Sequence, residues 1–185
     1  MTHAAHRTFR RFVVDGTNAR AVAVLRRRAR CGNADRAALL ISGPSGVGKS
    51  HLLHATAGTL RAGTRVAMIT AEAWMHVYVA SIRRGEAPAF SAAMAAACDA
   101  LLVDGLEDLA DKPVTLAALG AIARQVTDHG GLVVLACGAA STPAILEVLG
   151  EVMALRIVEV RASCSTFGHP ARPANRSTSE MTTSL

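Results

Sequence analysis

Two patterns alternate along the chain: short unbroken apolar runs and longer stretches with apolar residues at helical spacing. The runs Ala37–Ser42, Arg65–Thr70, Ala100–Asp104, Leu132–Cys137 and Arg156–Val160 read as strands buried on both faces. Between them, helical patterns cover Thr17 to about Arg30, with Thr17 or Asn18 as N-cap, and Lys49–Arg61, ended by Gly63. A further helix runs from Glu72 to about Arg84 and is stopped by Gly85 and Pro88. Val114–His129 and a short segment after Pro143 complete the set, and Phe12–Val14 is a brief apolar run ahead of the first helix. Strands and helices taking turns predict an α/β fold, a parallel five-stranded sheet between helices. Three regions follow: a basic entry segment and helix over 1–36, the core over 37–161, and a Ser/Thr/Pro/Arg-rich tail over 162–185 without periodicity, expected to be disordered.

Composition sharpens this picture in a few places. The 185 residues are 51% hydrophobic but only 3% aromatic, so the core has to be built from Ala, Val, Leu and Ile. Trp74, Met75, Tyr78 and Ile82 share one helical face and are assigned to that core. The net charge of +6 is uneven: residues 1–36 hold nine arginines and two aspartates, a net +7, leaving −1 for the remainder. Arg26-Arg27-Arg28 suits a solvated helix face, and also weak non-specific contact with nucleic-acid phosphates or an acidic partner. Cys31, Cys98, Cys137 and Cys164 lie far apart, without C-x-x-C spacing, and read as reduced thiols. No signal peptide opens the chain and no run approaches the roughly 18 apolar residues of a membrane span, so a cytoplasmic location is expected.

The chemistry concentrates in Gly43-Pro-Ser-Gly-Val-Gly-Lys-Ser50, a complete P-loop placed between a strand and a helix. Its glycines let main-chain N–H groups converge on phosphates, and the helix N-terminus adds to the attraction. Lys49 is expected to reach the β- and γ-phosphates of ATP, and Ser50 to ligate Mg²⁺. The contacting set is Gly43, Pro44, Ser45, Gly46, Val47, Gly48, Lys49, Ser50 and His51. Asp104, ending an apolar strand taken to neighbour the P-loop strand, is expected to hold Mg²⁺ through water. A water-activating acid commonly comes next, but residue 105 is Gly, which leaves Glu107 as the catalytic candidate with Asp108 beside it. His51 and His54 lack further ligand partners and are read as helix histidines; His3 and His6 support no site.

Thr8-Phe-Arg-Arg-Phe-Val-Val14 with Asn18, then Gly-Val-Gly-Lys-Ser-His-Leu-Leu-His-Ala over 46–55, resembles the AAA+ domain of the bacterial chromosomal replication initiator family, DnaA. Ser81-Ile-Arg-Arg-Gly85 and Leu101-Leu-Val-Asp104 extend the resemblance to roughly residues 7–160. It implies that Phe12, Val13, Val14 and Asn18 line the base pocket. It also implies an acid where Gly105 stands, a polar sensor where the fourth strand has Leu135-Ala-Cys-Gly138, and an arginine finger near Leu149–Arg156, where Arg156 is the nearest arginine. Ser141 and Thr142 are the nearest hydroxyls to the sensor position. The helical lid and the DNA-binding domain of the family have no counterpart in the sequence, so the lid is expected to be missing or truncated.

The expected function is an ATP- or ADP-binding module of replication initiation or its regulation. It would act through a replication initiator or another replication protein, with oligomers allowed and hydrolysis weak. The alternative is an active ATPase of the helicase-loader or transposition-helper type that contacts DNA. A small-molecule kinase shares the P-loop but would leave the entry segment without a role.

Overall fold

The computed structural model describes residues 7–161. Helix α1 (Ala19–Cys31) leads into β1 (Ala38–Gly43), the P-loop and α2 (Lys49–Ala57). Then come β2 (Val66–Thr70), α3 (Ala71–Arg83), α4 (Ala87–Ala97), β3 (Ala100–Asp104), α5 (Pro113–Asp128), β4 (Leu132–Gly138), α6 (Thr142–Val152) and β5 (Leu155–Glu159). One five-stranded parallel sheet has the order β2-β3-β4-β1-β5. No helix among the described residues is long and apolar enough to cross a membrane.

The period-two alternation of strands sorts the core into two layers. Leu40, Leu101, Val103, Val133 and Leu135 point to the layer closed by α3, α4, α5 and α6. Leu39, Ile41, Leu102, Val134 and Ala136 point to the layer closed by α1, α2 and Phe9. Ala21, Val22 and Leu25 place α1 inside this second layer, so the basic stretch belongs to the folded core through one face and to solvent through the other.

Several expectations change. β4, rather than β3, is the strand beside β1, so Asp104 lies one strand further from the P-loop. α2 ends at Ala57 rather than Arg61: Gly58 follows, and the next amides reach back only three residues. Helix α4 was not expected at all. Its alanines carry almost no polar periodicity, although alanine is the strongest helix former, and Pro88 sits in the first turn, where its missing N–H is harmless. Pro88 therefore helps to start a helix instead of only stopping one. Trp74 is fully buried and stacks on Tyr78 at 4.8 Å, whereas Ile82 is exposed, so the helical face assigned to the core ends before it. His3, His6, Cys164 and the 162–185 tail lie outside the described residues.

Leu25→Ala should lower the unfolding free energy by about 2–5 kcal/mol, because it opens a cavity beneath α1. Arg27→Ala, on the exposed face of the same helix, should change it by about 0.5 kcal/mol or less. Urea titration of both variants checks this, and equal small effects would show that α1 is not part of the cooperative core.

Candidate functional site

The P-loop leaves β1 through Gly43, whose position is sterically closed to any side chain: an added Cβ would lie 2.2 Å from the Val160 carbonyl oxygen. Gly46 and Gly48 have φ of +76° and +100°, which turn the loop back toward α2. A Cβ at Gly48 would also strike the Phe12 ring at 2.6 Å. Lys49 is buried, and its Nζ donates to the Gly43 and Pro44 carbonyls, both at 2.9 Å. Among the described residues no carboxylate lies within ion-pair distance of this ammonium.

The entry segment is held onto this loop by specific contacts. His51 Nε2 lies 2.9 Å from the Thr8 carbonyl oxygen, and its ring meets Phe12 edge-on at 5.2 Å. Arg26 donates to the Phe9 carbonyl at 2.8 Å and lies over the Phe9 ring. Asn18 stands at the N-cap position of α1 without capping it. Its Oδ1 instead accepts from the Asp15 N–H and its Nδ2 donates to the Val13 carbonyl. The result is a cavity of about 410 Å³ lined by Phe12, Val13, Asp15, Asn18, Ser45, Gly46, Val47 and Arg161. Val14, 46% exposed, is outside this lining. Arg161 follows β5 and was not anticipated; only knowing where β5 ends brings it to this cavity.

At the carboxyl edge of the sheet, Gly105 adopts φ +74°, and the chain turns into a short 3₁₀ segment, Leu106–Leu109. That turn carries Glu107 back over β4, where its Oε2 accepts a 3.0 Å bond from the Gly138 N–H. Asp108 instead points its main-chain carbonyl at Lys112 Nζ. Between Asp104 and the P-loop lies the tip of β4. There Thr142 Oγ1 sits 2.6 Å from Ser42 Oγ and 3.4 Å from Cys137 Sγ. Burial pushes the Cys137 thiol up and Glu107 adds to the effect, outweighing the Thr142 and Ser42 hydroxyls and the Lys49 charge, which oppose it. Arg156 pairs with Asp35 at 2.6 Å instead of standing free.

Ser50 and Asp104 supply the hydroxyl and carboxylate that a hard divalent cation requires. Lys49 and the Gly-rich turn supply the cradle for an anion. Lys49 and the loop are thus the groups that could hold a nucleotide phosphate, and Ser50 with Asp104 those that could hold its metal.

His54, on α2 behind the loop, has its imidazole pushed below the ordinary range by burial and by the Arg7 charge, with Asp104 partly opposing. The unfolded chain therefore binds more protons as pH falls through about 6.5. Stability from this group is complete above that range and is lost below it. The urea midpoint should fall on acidification across this window, and His54→Asn should flatten that part of the curve. An unchanged slope in the variant would refute the assignment.

A family model, the Bacterial DnaA ATPase domain, matches residues 4–158. The chromosomal replication initiator protein DnaA of Cereibacter sphaeroides is 36% identical over 111 residues, 58% of this chain and 24% of that protein. The match thus spans about a quarter of that relative's length. Among solved structures, AMPPCP-bound DnaA from Aquifex aeolicus superposes with a TM-score of 0.68 at 22% identity, covering 83% of this chain and 49% of that one. A DnaC helicase loader shares the fold at a TM-score of 0.59 and 13% identity, covering 85% of this chain and 99% of that one. With five parallel strands, a P-loop at the end of β1, and a family model covering residues 4–158, the chain belongs to the bacterial DnaA ATPase domain family.

Proposed function

We propose that the chain binds ATP or ADP with Mg²⁺ and works in replication initiation or its regulation through a protein partner, a replication initiator or another replication protein, hydrolysing ATP weakly. The observation that carries this reading is Lys49: a buried ammonium held, among the described residues, by two main-chain carbonyls and no carboxylate, in a loop whose glycines leave room for phosphate. A buried cation without a counter-charge is poised for an anion. In this reading Lys49 takes the β- and γ-phosphates, and Ser50 with Asp104 takes the metal. The loop Gly43–His51 wraps the phosphates, and Phe12, Val13 and Asn18 flank the base. Val14 contributes backbone continuity only.

Weak hydrolysis follows from what surrounds the reacting end. Gly105 offers no carboxylate, Ala136 and Cys137 offer no strong polar sensor, and Arg156 is engaged by Asp35. An arginine finger is worth about 10³–10⁵ in rate in other P-loop enzymes. A second reading, an active remodelling ATPase that contacts DNA, draws on one observation: Glu107 reaches the β4 tip, next to the place where a water-activating acid is needed.

Nucleotide binding and steady-state phosphate release on one sample test both. Lys49→Ala should weaken ATP binding by roughly 10- to 100-fold, as expected for a lost charge-assisted bond. Chelating Mg²⁺ should weaken ATP more than it weakens AMP. Turnover should be on the order of 10⁻³ s⁻¹ or slower. Turnover near 10 s⁻¹ that disappears in Glu107→Gln would replace the first reading by the second, and absence of Lys49-dependent binding would remove both.

A further inference from the structure

Strand β5 pairs with β1 and with no other strand among the described residues, so its outer side is a sheet edge. The Ala38 N–H donates to the Ala154 carbonyl and the Val160 N–H to the Ser42 carbonyl. Main-chain groups alternate sides along a strand, so those of Leu155, Ile157 and Glu159 face the open edge. A row of this kind is a template for another strand.

Helix α1 stands off from this edge and leaves two cavities, of about 430 and 580 Å³, that share Arg20, Ile157 and Val158 in their walls. Ile157 presents an apolar side chain at the middle of the edge, 45% exposed. Arg20 and Arg27 are exposed on α1 and make no ion pair or side-chain hydrogen bond among the described residues. Arg156 and Arg161 line the same groove, each already paired with a carboxylate, Asp35 and Glu159 respectively. Two cationic heads without a counter-charge among the described residues thus stand beside an unpaired strand edge, and Ile157 presents its apolar side chain on the opposite face of that edge, the face it shares with Leu40.

We propose that the groove between α1 and β5 binds an extended acidic peptide segment of a partner protein. The segment adds to β5 as a sixth strand, sets an apolar side chain against Ile157 and places carboxylates on Arg20 and Arg27. A peptide fits better than nucleic acid, because no aromatic side chain lines the groove for bases to stack on, whereas the free N–H and C=O groups match a peptide main chain. The chain's own residues 162–185 carry Arg172 and Arg176 against one Glu180 and have the wrong sign to fill it. The groove adjoins the cavity beside the P-loop through Arg161, which lines both, but Arg20, Arg27 and the β5 main chain lie outside that cavity and need no bound nucleotide.

The test uses the full chain and a fluorescein-labelled peptide, Glu-Val-Glu-Val-Glu-Val-Glu, followed by anisotropy at low salt. The same peptide with Lys in place of Glu, the Glu peptide N-methylated at alternate amides, and an oligothymidylate of roughly 12 nucleotides serve as comparisons. The Glu peptide should bind. The Arg20→Glu/Arg27→Glu double variant should weaken it about tenfold or more, and the N-methylated and Lys peptides should bind at least as poorly. In the complex, hydrogen exchange at the Ile157 and Glu159 amides should slow. Lys49→Ala should bind the peptide like the parent chain, so failure of the nucleotide reading and failure of this one are separately visible. Circular dichroism verifies that the double variant is folded, and Arg20→Gln/Arg27→Gln decides if it is not. The proposal falls if the Glu peptide does not bind, if charge reversal leaves its affinity unchanged, if those two amides gain no protection, or if oligothymidylate binds the groove in its place.

Discussion

Burying all six residues of β1 requires a strand on each side and helices on both faces, because each main-chain group needs a sheet partner and each side chain an apolar neighbour. β4 and β5 meet the first requirement, and α5 with α1 and α2 meets the second. The P-loop inherits its position from this arrangement. Gly43 leaves the sheet so close to Val160 that the exit direction of the chain has little freedom. The loop then has to turn through positive φ at Gly46 and Gly48 before α2 can begin. The second of these glycines is also the floor on which Phe12 rests, so the geometry of the phosphate cradle and that of the neighbouring cavity share one residue.

The five strands and the P-loop were legible because they rest on signals that act locally. Ala100–Asp104 is a continuous apolar run that ends in a charge, and the spacing of Gly43, Gly48, Lys49 and Ser50 is itself the loop geometry. What was not legible rests on contacts distant in sequence. That β4 inserts between β1 and β3 is a matter of topology, and no local pattern in Leu132–Gly138 announces it. Glu107 reaches Gly138 across 31 positions only because Gly105 turns the chain in a left-handed conformation. Helix α4 escaped for a different reason. In a run of alanines the polar and apolar faces are chemically alike, so periodicity has nothing to report and only propensity remains.

Charge clustering had the same weakness. The arginine-rich first segment reads from composition as one basic arm, but the fold divides it. Arg26 holds the Phe9 backbone and ring, and buried Arg28 joins Asn33 and Asp35 beneath α1. Burial alone would raise the Asp35 carboxyl, yet Arg28 and Arg156 outweigh it and hold the group below its usual range. These arginines shape the molecule, while Arg20 and Arg27 line the open groove beside β5 without an ion pair among the described residues, unlike Arg28 at the same groove. The same residue type thus serves packing on one face of the helix and recognition on the other, a division that depends only on the 3.6-residue period.

The carboxyl edge of the sheet separates holding a phosphate from cleaving one. Holding needs fixed dipoles and one cation, and these sit on β1 and α2, elements anchored in the core. Cleaving needs a base and a charge stabiliser placed within a fraction of an ångström of the reacting atoms. Glu107, the acid brought over the β4 tip, is already committed to the Gly138 amide, and the sulfur and hydroxyls below it bond chiefly to one another. Freeing Glu107 to orient water would leave the Gly138 N–H to find another acceptor, a loss that is modest if water reaches it and larger if it does not. Catalysis at this edge therefore depends on what replaces that one hydrogen bond, whereas phosphate binding at the P-loop does not.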